Sequence, residues 1–504
     1  MSQSASHLSH EILISKLNEM RNFGGPAITS GLSDDVIEDF LDDYDALGFA
    51  IERAYDHFND VREAHPEFLA LGEADQILQA QDGYTNFYAE DAVNPYVAAA
   101  GSGPWLVSLK GAVIYDCGGY GMLGLGHAPD AILDALNQPH VMANIMTASV
   151  SQMEFISCLR REIGHTRDGG IPFTSFLCLN SGSESTSMAS RITDINTKNL
   201  TDPGARYEGC EIHGITLEGS FHGRTDRPAR YSDSTLGNYR KHLASYRDSD
   251  YLLTVPPNNI ESMEAAFAKA ESDGVFVEAF FMEPVMGEGN PGQGITAAFY
   301  KRARELTKDH GSMLVIDSIQ AGLRAHGVLS IVDYPGFEEL EGPDMEAYSK
   351  ALNGGQFPVS VLALSEKAAS IYRTGLYGNT MTSNPRGLDV AMVVLESFTP
   401  ALRENIRTQG KALIDGLRKL AEELGDAIIG TQGTGLLLSC ELNPRYKCYG
   451  ANSTEDYLRK QGLGVIHGGA RSLRYTPHFA VSAKEVDLII QLTRDALVNG
   501  PKLQ

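Results

Sequence analysis

The sequence lacks the features that mark membrane, nucleic-acid-binding and secreted proteins. No apolar run among its 504 residues approaches the ~20 residues that a transmembrane helix needs. Lys and Arg number 41 against 65 Asp and Glu, and the resulting net charge of −24 opposes binding to a phosphate backbone. The first twenty residues have no apolar signal-peptide core. We therefore expect a cytoplasmic protein that binds neither nucleic acid nor membrane.

Cysteine is also scarce, which excludes two further classes of protein. The six cysteines are scattered and form no CxxC pair, so a disulfide framework or a zinc ribbon is not expected. Hydrophobic residues make up 42% and charged residues 21% of the chain, and these ordinary values exclude global disorder. A chain of 504 residues is long enough for two to four domains, or for one large enzyme body with an attached lobe.

The first ~95 residues differ in texture from the rest of the chain. Residues 34–60 are acidic and carry apolar residues near helical spacing, among them Ile37, Phe40, Leu47 and Ile51. This pattern predicts a helical N-terminal extension. Its expected role is packing or a dimer contact.

From about Asn94 the pattern becomes that of an α/β protein. The runs TSFLCLN, VEAFFMEPV and SMLVIDSI are typical of buried strands, and amphipathic segments such as AAFYKRARELTKDHG lie between them. This alternation predicts a mainly parallel sheet with helices on both faces, and such sheets bind ligands beyond the carboxyl ends of their strands. From about Pro385, long helices and short strands indicate a smaller lobe.

Polar and small residues follow the first of these strands and a later short strand. In NSGSE, at 180–184, small residues precede a helix, and free N–H groups at a helix start suit a phosphate, although a plain tight turn has the same pattern. Phe221 could stack on a flat ring, and Arg224 offers a planar fork for a carboxylate. A packed Phe beside a surface Arg is the alternative. His222 is interpreted as a structural neighbour.

Charged residues follow the remaining strands. Glu283 and Glu288 could form a polar network or a switch. Asp317 ends an apolar run, so it needs a cationic partner such as a protonated pyridine nitrogen, unless it caps a helix. Lys350 lies among small residues. It could be a nucleophile, which requires a lowered pKa, or a solvated surface group, as most lysines are. No His or Cys stands at ligand spacing near the glutamates, so no metal is expected.

The order of these segments resembles that of the class III, ornithine-type, pyridoxal-phosphate aminotransferases. The matching segments are NSGSES, FHGRT, EPVMGEG, IDSIQAG and SKALNGGQFP. GNTMTSNP, at 378–385, is similar to the family's GST-x-x-x-NP, and YDCGGYGMLGLGHAPDAILDAL is similar to its N-terminal strand and turn. The resemblance runs from about residue 95 to the C-terminus.

The resemblance implies an α/β fold of type I among the pyridoxal-phosphate enzymes. This fold has a large domain with a mainly parallel sheet and a smaller α+β domain, to which this chain adds its helical extension. The expected divisions are 1–95 for the extension, 96–145 for the N-terminal part of the small domain, 146–385 for the coenzyme-binding large domain and 386–504 for the C-terminal small domain.

The resemblance also implies pyridoxal 5'-phosphate as the cofactor. Lys350 would hold it covalently and shuttle a proton, Asp317 would keep its ring nitrogen protonated, and Phe221 would stack on the ring. Thr380 would reach the phosphate in the neighbouring subunit, which implies a homodimer, and Gln320 would lie near the ring hydroxyl. The implied coenzyme-binding positions are Ser181, Gly182, Ser183, Phe221, Glu283, Asp317, Gln320, Lys350 and Thr380.

Four residues are implied as substrate-binding positions. Arg224 matches the Arg that binds a substrate carboxylate. Glu288 and Arg474 match a switch in which Glu288 neutralises Arg474 for a distal-amine donor and moves aside for 2-oxoglutarate or glutamate. Tyr120 matches the tyrosine near the α-amino and α-carboxylate groups of ornithine, or it merely lines the cavity. The expected activity is therefore ω-transamination from an ornithine- or lysine-like donor to a keto acid, with 2-oxoglutarate as the expected acceptor.

Several departures from the family pattern keep other reactions open. Ser318 replaces a usual Glu, Met286 a usual Gln and Ser187 a frequent Glu, while Arg324 is displaced by one place. None removes Lys350 or Asp317. The alternatives are an isomerase on the same fold, such as a racemase or an aminomutase, and a non-catalytic scaffold. The sequence does not distinguish a dimer from a tetramer.

Overall fold

The computed structural model describes residues 9–89, 92–118, 120–141, 145–247 and 250–503. The α-helices of these residues are α1 (His10–Arg21), α2 (Asp34–Leu41), α3 (Asp45–Ala64), α4 (Pro66–Leu69), α5 (Glu73–Ala80), α6 (Asp130–Leu136), α7 (Val150–Glu162), α8 (Gly182–Thr201), α9 (Asp226–Arg230), α10 (Asp233–His242), α11 (Ile260–Ser272), α12 (Ala297–His310), α13 (Glu366–Ile371), α14 (Pro385–Glu396), α15 (Pro400–Leu424), α16 (Thr454–Lys460) and α17 (Ala483–Asn499). None of these helices is both long and apolar enough to cross a bilayer.

The strands form three sheets. They are β1 (Ala98–Ser102), β2 (Trp105–Ser108), β3 (Val113–Asp116), β4 (Ser175–Leu179), β5 (Glu211–Leu217), β6 (Leu252–Val255), β7 (Val275–Met282), β8 (Met313–Asp317), β9 (Met345–Tyr348), β10 (Ser360–Leu364), β11 (Ile428–Thr434), β12 (Leu437–Leu442), β13 (Leu463–Gly464), β14 (Ile466–Gly468) and β15 (Ser472–Tyr475). Short 3-10 helices span Ala244–Tyr246, Ile331–Asp333, Lys350–Asn353 and Gly425–Ala427.

The largest sheet has seven strands in the order β4-β10-β9-β8-β7-β5-β6. The pairs from β9 through β6 are parallel, whereas β10 runs antiparallel to both β9 and β4. Every residue of β7 is buried, because helices cover both faces of the sheet and exclude water from it. The mainly parallel α/β fold predicted from the sequence is therefore confirmed.

This topology places the chemically important segments at one edge of the sheet. Because β10 is antiparallel to both of its neighbours, β4 runs in the same direction as β5, β7, β8 and β9. The carboxyl ends of these five strands therefore meet at one edge. The polar segments that the sequence singles out after TSFLCLN, VEAFFMEPV and SMLVIDSI all begin there.

The two smaller sheets each have four strands. One has the order β1-β2-β3-β13 and pairs Tyr115 and Asp116 in parallel with Leu463 and Gly464, far along the chain. The other has the order β11-β12-β15-β14 and consists of C-terminal strands. The boundaries predicted at residues 95, 145 and 385 stay predictions.

The described part of the N-terminal extension is helical as far as α5. The acidic stretch 34–60 is two helices rather than one, because a turn after Leu41 separates α2 from α3. The apolar residues Ile37, Phe40 and Ile51 are buried, and α3 packs against β1 and β2. Burial of this apolar face attaches the extension to the small β1–β3 sheet.

Lys110 is a buried charged residue whose hydrogen bonds stabilise this attachment. It is 2% exposed, and its Nζ donates to the carbonyl oxygens of Phe23 at 3.0 Å, Gly25 at 3.1 Å and Leu69 at 3.4 Å. Burial lowers the pKa of Lys110, and the nearby carboxylate of Glu73 partly offsets that effect. The lysine thus binds two turns of the extension to the body of the protein.

Replacing Lys110 with Met should weaken this attachment. The variant leaves buried carbonyl groups without a donor, so we expect the free energy of unfolding to fall by about 1–3 kcal/mol. Urea unfolding, with limited proteolysis of the first 90 residues as a second readout, measures the effect. Lys198→Met is the matched control, because its pair with Asp202 is exposed and contributes little. Equal stability of the wild type and Lys110→Met would contradict the anchoring role.

Candidate active site

A cavity of about 160 Å³ lies at the carboxyl edge of the large sheet. Its lining residues are Ser181, Gly182, Ser183, Phe221, His222, Gly223, Glu283, Asp317, Ile319, Gln320, Ser349 and Lys350. Eight of the nine coenzyme-binding positions predicted from the sequence are among them, and Thr380 is the exception. The order of strands in the sheet brings together segments that are up to 170 residues apart in the chain.

Asp317 stands at the end of β8 and is 4% exposed. Its Oδ2 lies 2.9 Å from Nδ1 of His222, and its Oδ1 accepts the N–H of Ile319 at 3.1 Å. The Nε2 of His222 lies 3.1 Å from the hydroxyl of Thr216. His222, interpreted from the sequence as a structural neighbour, therefore orients the Asp317 carboxylate through a direct hydrogen bond and is itself fixed by Thr216.

Helix α8 begins at the cavity. Ser181 caps it by accepting the N–H of Glu184 at 3.3 Å. The first turn of a helix has N–H groups that the helix leaves without acceptors, and the helix dipole adds positive potential there. A side chain at Gly182 would meet the side chain of Ile319, with Cβ 2.7 Å from its Cδ1, so a larger residue there would require Ile319 to shift. This turn can hold an anion such as a phosphate.

Lys350 follows β9 and lines the cavity. Its φ of +49° lies in the left-handed region, which is uncommon for a residue with a side chain and typical of functional positions. Its Nζ lies 3.5 Å from Oε1 of Gln320. Burial lowers the pKa of Lys350, and the positive charge of Arg474 lowers it further. A lowered pKa is what a nucleophilic amine requires.

Glu283 lies beside Asp317 at the end of β7. Burial raises its pKa from 4.5 to about 7, and the charge of Asp317 contributes to the rise, although His222 opposes it. Its oxygens accept the N–H groups of Phe221 at 3.0 Å and Gly287 at 2.9 Å. Glu283 thus holds the backbone of Phe221 in place.

These residues fit the coenzyme that the sequence implies. Asp317 is a buried acid that can face a protonated ring nitrogen, and the start of α8 can face a phosphate. The Nε2 of Gln320 is buried without a partner among the described residues, so a donor is available for a polar group on a ring. Pyridoxal 5'-phosphate would be held by these groups and by Lys350. No cluster of three metal-binding side chains occurs in the described residues.

The predicted substrate-binding residues lie outside the lining of this cavity. Arg474 is fully buried on β15, and its Nη1 contacts both Oε2 of Glu288, at 3.2 Å, and the carbonyl oxygen of Gly287. Its Cζ lies 5.3 Å from the ring centroid of Tyr120. Burial raises the pKa of the Tyr120 hydroxyl. The Glu288–Arg474 pair predicted from the sequence is therefore an ion pair in the structure, with Tyr120 against it.

Arg224 is exposed and lies over two aromatic rings. Its Cζ is 5.2 Å from the ring centroid of Phe221 and 5.8 Å from that of Phe87. No carboxylate within the part of the chain that the structure describes pairs with it. Because Phe221 also lines the coenzyme cavity, Arg224 stands next to that cavity with its guanidinium available for a carboxylate.

Thr380 lies in a different cavity, of about 650 Å³. Ile145, together with Gln152 and Ile156 of α7, lines the same cavity. The structure of the single chain therefore does not bring Thr380 into the coenzyme cavity. The role of Thr380 in a neighbouring subunit stays a prediction.

Two departures from the family pattern have structural counterparts that the sequence did not indicate. The hydroxyl of Ser318 donates to Oε1 of Glu346 at 2.5 Å, so the next strand supplies a buried carboxylate beside the serine. Burial raises the pKa of Glu346 to about 7. Arg324 is fully buried and donates to the carbonyl oxygens of Pro477 at 2.5 Å and Gly121 at 3.3 Å. It joins the sheet edge to the C-terminal segment and to the loop that holds Tyr120.

Comparisons with known proteins agree with this geometry. The family model described as aminotransferase class III matches residues 87–497. An acetylornithine aminotransferase of Neisseria meningitidis serogroup B is 28% identical over 405 residues, covering 78% of this chain and 92% of that protein. The structure of an N-acetylornithine aminotransferase from Stenotrophomonas maltophilia K279a is 24% identical, with a TM-score of 0.64, and covers 84% of this chain and 98% of that one. The structure of an ornithine aminotransferase from Toxoplasma gondii ME49 is 21% identical, with a TM-score of 0.70, and covers 87% and 98% respectively.

The raised pKa of Glu283 predicts a pH dependence of stability in the coenzyme-free protein. A carboxyl group with a raised pKa binds more protons in the folded than in the unfolded state, so its contribution is complete below pH 4.5 and is lost as the pH rises through about 7. In Glu283→Gln this loss is absent. The stability of the wild type relative to the variant should therefore decrease between pH 4.5 and about 7 and stay constant above.

Melting temperatures of both proteins between pH 4 and 8 provide the measurement. Glu305→Gln is the control, because it makes the same substitution at a side chain that is 47% exposed. A pH-independent difference for Glu283→Gln would contradict the raised pKa.

Proposed function

Because the chain belongs to the class III aminotransferases, which use pyridoxal 5'-phosphate, we propose that it is an ω-aminotransferase that moves an amino group from an ornithine- or lysine-like donor to 2-oxoglutarate. The observation that carries the proposal is the buried pair of Arg474 and Glu288 beside Tyr120. A donor amine and a keto acid are the two substrates of any aminotransferase. The identity of both is the part that we propose.

The cavity residues support a division of roles around the coenzyme. When bound, pyridoxal 5'-phosphate supplies an electron sink for the carbon next to the reacting amine. Asp317, oriented by His222, holds a proton on the ring nitrogen. The Nζ of Lys350 holds the coenzyme and moves the proton between substrate and coenzyme, and its lowered pKa makes the neutral amine accessible. The start of α8 binds the phosphate, and Phe221 packs on the ring.

The Glu288–Arg474 pair explains how one pocket accepts two differently charged substrates. Arg474 is fully buried, and Glu288 is the carboxylate that pairs with it, so its positive charge is neutralised while the pair is intact. The Glu288 side chain is 27% exposed, so a path toward solvent is open to it. Its departure leaves a buried guanidinium that needs a new anion, and the α-carboxylate of 2-oxoglutarate or glutamate provides one.

Arg224 supplies the second anchor. Its guanidinium faces no carboxylate of its own among the described residues, so it binds the carboxylate of 2-oxoglutarate that is remote from the keto group. Tyr120 contacts Arg474, and this contact supports a role in binding the α-amino and α-carboxylate groups of a diamino acid donor. The relative named acetylornithine aminotransferase and the solved structure named ornithine aminotransferase favour a donor of the length of ornithine.

Reaction of the coenzyme-loaded protein with single donors tests the proposal. Ornithine, lysine, 4-aminobutyrate and alanine are added separately without a keto acid, and the visible absorption band of the bound coenzyme is recorded. We expect the band to be lost with the distal-amine donors and to return when 2-oxoglutarate is added. In Lys350→Ala the rate should fall by roughly a hundred- to ten-thousandfold, because the proton transfer loses its base.

The same experiment separates the alternative reactions. An isomerase would change the optical rotation of its substrate without releasing a keto product and without any need for 2-oxoglutarate. An unchanged band with every donor would contradict ω-transamination. The absence of any band after incubation with pyridoxal 5'-phosphate would contradict the assignment of Lys350.

The active unit that we propose is a homodimer in which Thr380 reaches the coenzyme phosphate of the other subunit. Support comes from exposed apolar side chains next to the Thr380 cavity. Ile145 is 49% exposed, and Val150 and Met153 on α7 are 65% and 64% exposed. Several exposed apolar side chains within one short stretch, residues 145–153, are typical of an interface between subunits.

The double variant Val150→Glu, Met153→Glu should be monomeric, because four charges would be buried in each symmetric interface. Both positions lie in the first turn of α7, where acidic residues are compatible with the helix dipole. Sedimentation velocity measures the mass. Leu78→Glu on α5, where the leucine is 69% exposed, is the control and should leave the dimer intact. A monomeric wild type, or a dimeric double variant, would contradict this interface.

A further inference from the structure

Two consecutive aromatic side chains lie on the substrate side of the site. Phe87 and Tyr88 follow α5 in the N-terminal segment, and their ring centroids are 4.2 Å apart. Phe87 is 74% exposed, which is unusual for so large an apolar ring. Each of the two rings contacts a different one of the four predicted substrate-binding residues.

Phe87 contacts Arg224. The guanidinium Cζ lies over the rings of both Phe87 and Phe221, at 5.8 and 5.2 Å from their centroids. A guanidinium that contacts rings through its face keeps the N–H groups on its edge for hydrogen bonds, and the contact is favourable as a cation–π interaction. Phe87 therefore restricts the orientations that the Arg224 guanidinium can adopt. The N–H groups on the edge of the guanidinium stay available to bind a carboxylate.

Tyr88 contacts Tyr120. The two rings are stacked, with centroids 5.9 Å apart and planes 18° apart, and Tyr120 contacts Arg474 in turn. Tyr88 and Tyr120 also line a neighbouring cavity of about 660 Å³. The stacked pair therefore stands between Arg474 and that larger cavity, and it limits the space available to a donor on the Arg474 side.

We propose that Phe87 and Tyr88 form the outer wall of the substrate pocket and determine specificity, with Phe87 favouring substrates that carry a carboxylate at Arg224 and Tyr88 limiting donor size beside Tyr120. The proposal rests on the proposed function in two respects, the binding of a substrate carboxylate by Arg224 and the reaction of a diamino donor beside Tyr120. The helices α1–α5 precede residue 87, where the family match begins, so a part of the chain outside that match positions the wall.

Binding of glutarate to the coenzyme-loaded protein tests the role of Phe87 without any turnover. Glutarate is a dicarboxylate with neither an amino nor a keto group, and titration calorimetry gives its Kd. In Phe87→Ala we expect the Kd to rise by roughly three- to thirtyfold, the range of a cation–π contact. Phe87→Tyr should retain most of the affinity. Phe87→Leu, which keeps apolar bulk without a ring, should lose most of it.

Tyr84→Ala is the matched control. Tyr84 lies three residues before Phe87 and is 72% exposed, and no ring contact to Arg224 is formed by it in the described part of the chain. Its variant should bind glutarate as the wild type does. Unchanged affinity in Phe87→Ala, equal losses in Phe87→Ala and Tyr84→Ala, or full affinity in Phe87→Leu would each overturn the role of Phe87.

Donor selectivity tests the role of Tyr88. We expect Tyr88→Ala to raise kcat/KM for N-acylated or longer diamino donors relative to ornithine, because removal of the ring joins the pocket to the 660 Å³ cavity. Tyr88→Phe keeps the stack and should keep the wild-type ranking. An unchanged ranking in Tyr88→Ala would overturn this part of the proposal.

The two proposals fail in different ways. A wild type that reacts with no donor but shows the expected glutarate affinities would refute ω-transamination and support the contact of Phe87 with Arg224. A wild type that transaminates but shows no change in Phe87→Ala and Tyr88→Ala would support ω-transamination and overturn the wall.

Discussion

The carboxylate of Asp317 lies at the end of a buried strand, and the hydrogen bond from His222 at 2.9 Å is the interaction on which the rest of the site depends. A buried carboxylate without a partner costs several kcal/mol, so it must be matched by a proton donor or a cation. His222 meets one oxygen, and the N–H of Ile319 meets the other. The carboxylate is thereby held in one orientation before any ligand arrives. Similar constraints act on Arg474, which Glu288 neutralises, and on Lys350, whose pKa is lowered instead.

The N-terminal extension is connected to the same chemistry through apolar packing and through the hydrogen bonds of one buried lysine. Lys110 binds the turns around Phe23 and Leu69, and the apolar face of α3 covers the small sheet that contains β3. The chain then continues from α5 to Phe87 and Tyr88 at the substrate side. The extension was expected to pack or to form a dimer contact, and its packing positions side chains next to Arg224 and Tyr120. A region that carries no catalytic group can in this way shape the pocket.

Sequence reasoning predicted the parts of the structure that depend on local pattern. Apolar runs bounded by polar residues indicated the buried strands, and a parallel sheet then required the segments around Glu283 and Asp317 to meet at one edge. The contacts that it missed join residues distant in the chain, because no local pattern indicates which strand will be a neighbour. Glu346 beside Ser318 and the carbonyl partners of Arg324 are of this kind. For Phe87 and Tyr88 a signal was present, since three aromatic residues occur within residues 84–88, but their positions beside Arg224 and Tyr120 depend on how the extension docks.

The charge of the whole chain and the charge of the site have opposite signs, and this difference has a consequence for substrate binding. A net charge of −24 repels a dicarboxylate such as 2-oxoglutarate at long range, so attraction must come from short-range groups in a poorly solvated pocket. Arg224, Arg474 and Lys350 supply positive charge there. Glu288 neutralises one of them and is partly exposed, whereas Glu283, with a pKa of about 7, adds only part of a negative charge near neutral pH. The local charge therefore becomes more positive when one side chain, Glu288, moves away from Arg474, and the proposed binding of a cationic amine in one state and of a dianion in the other needs no change of fold.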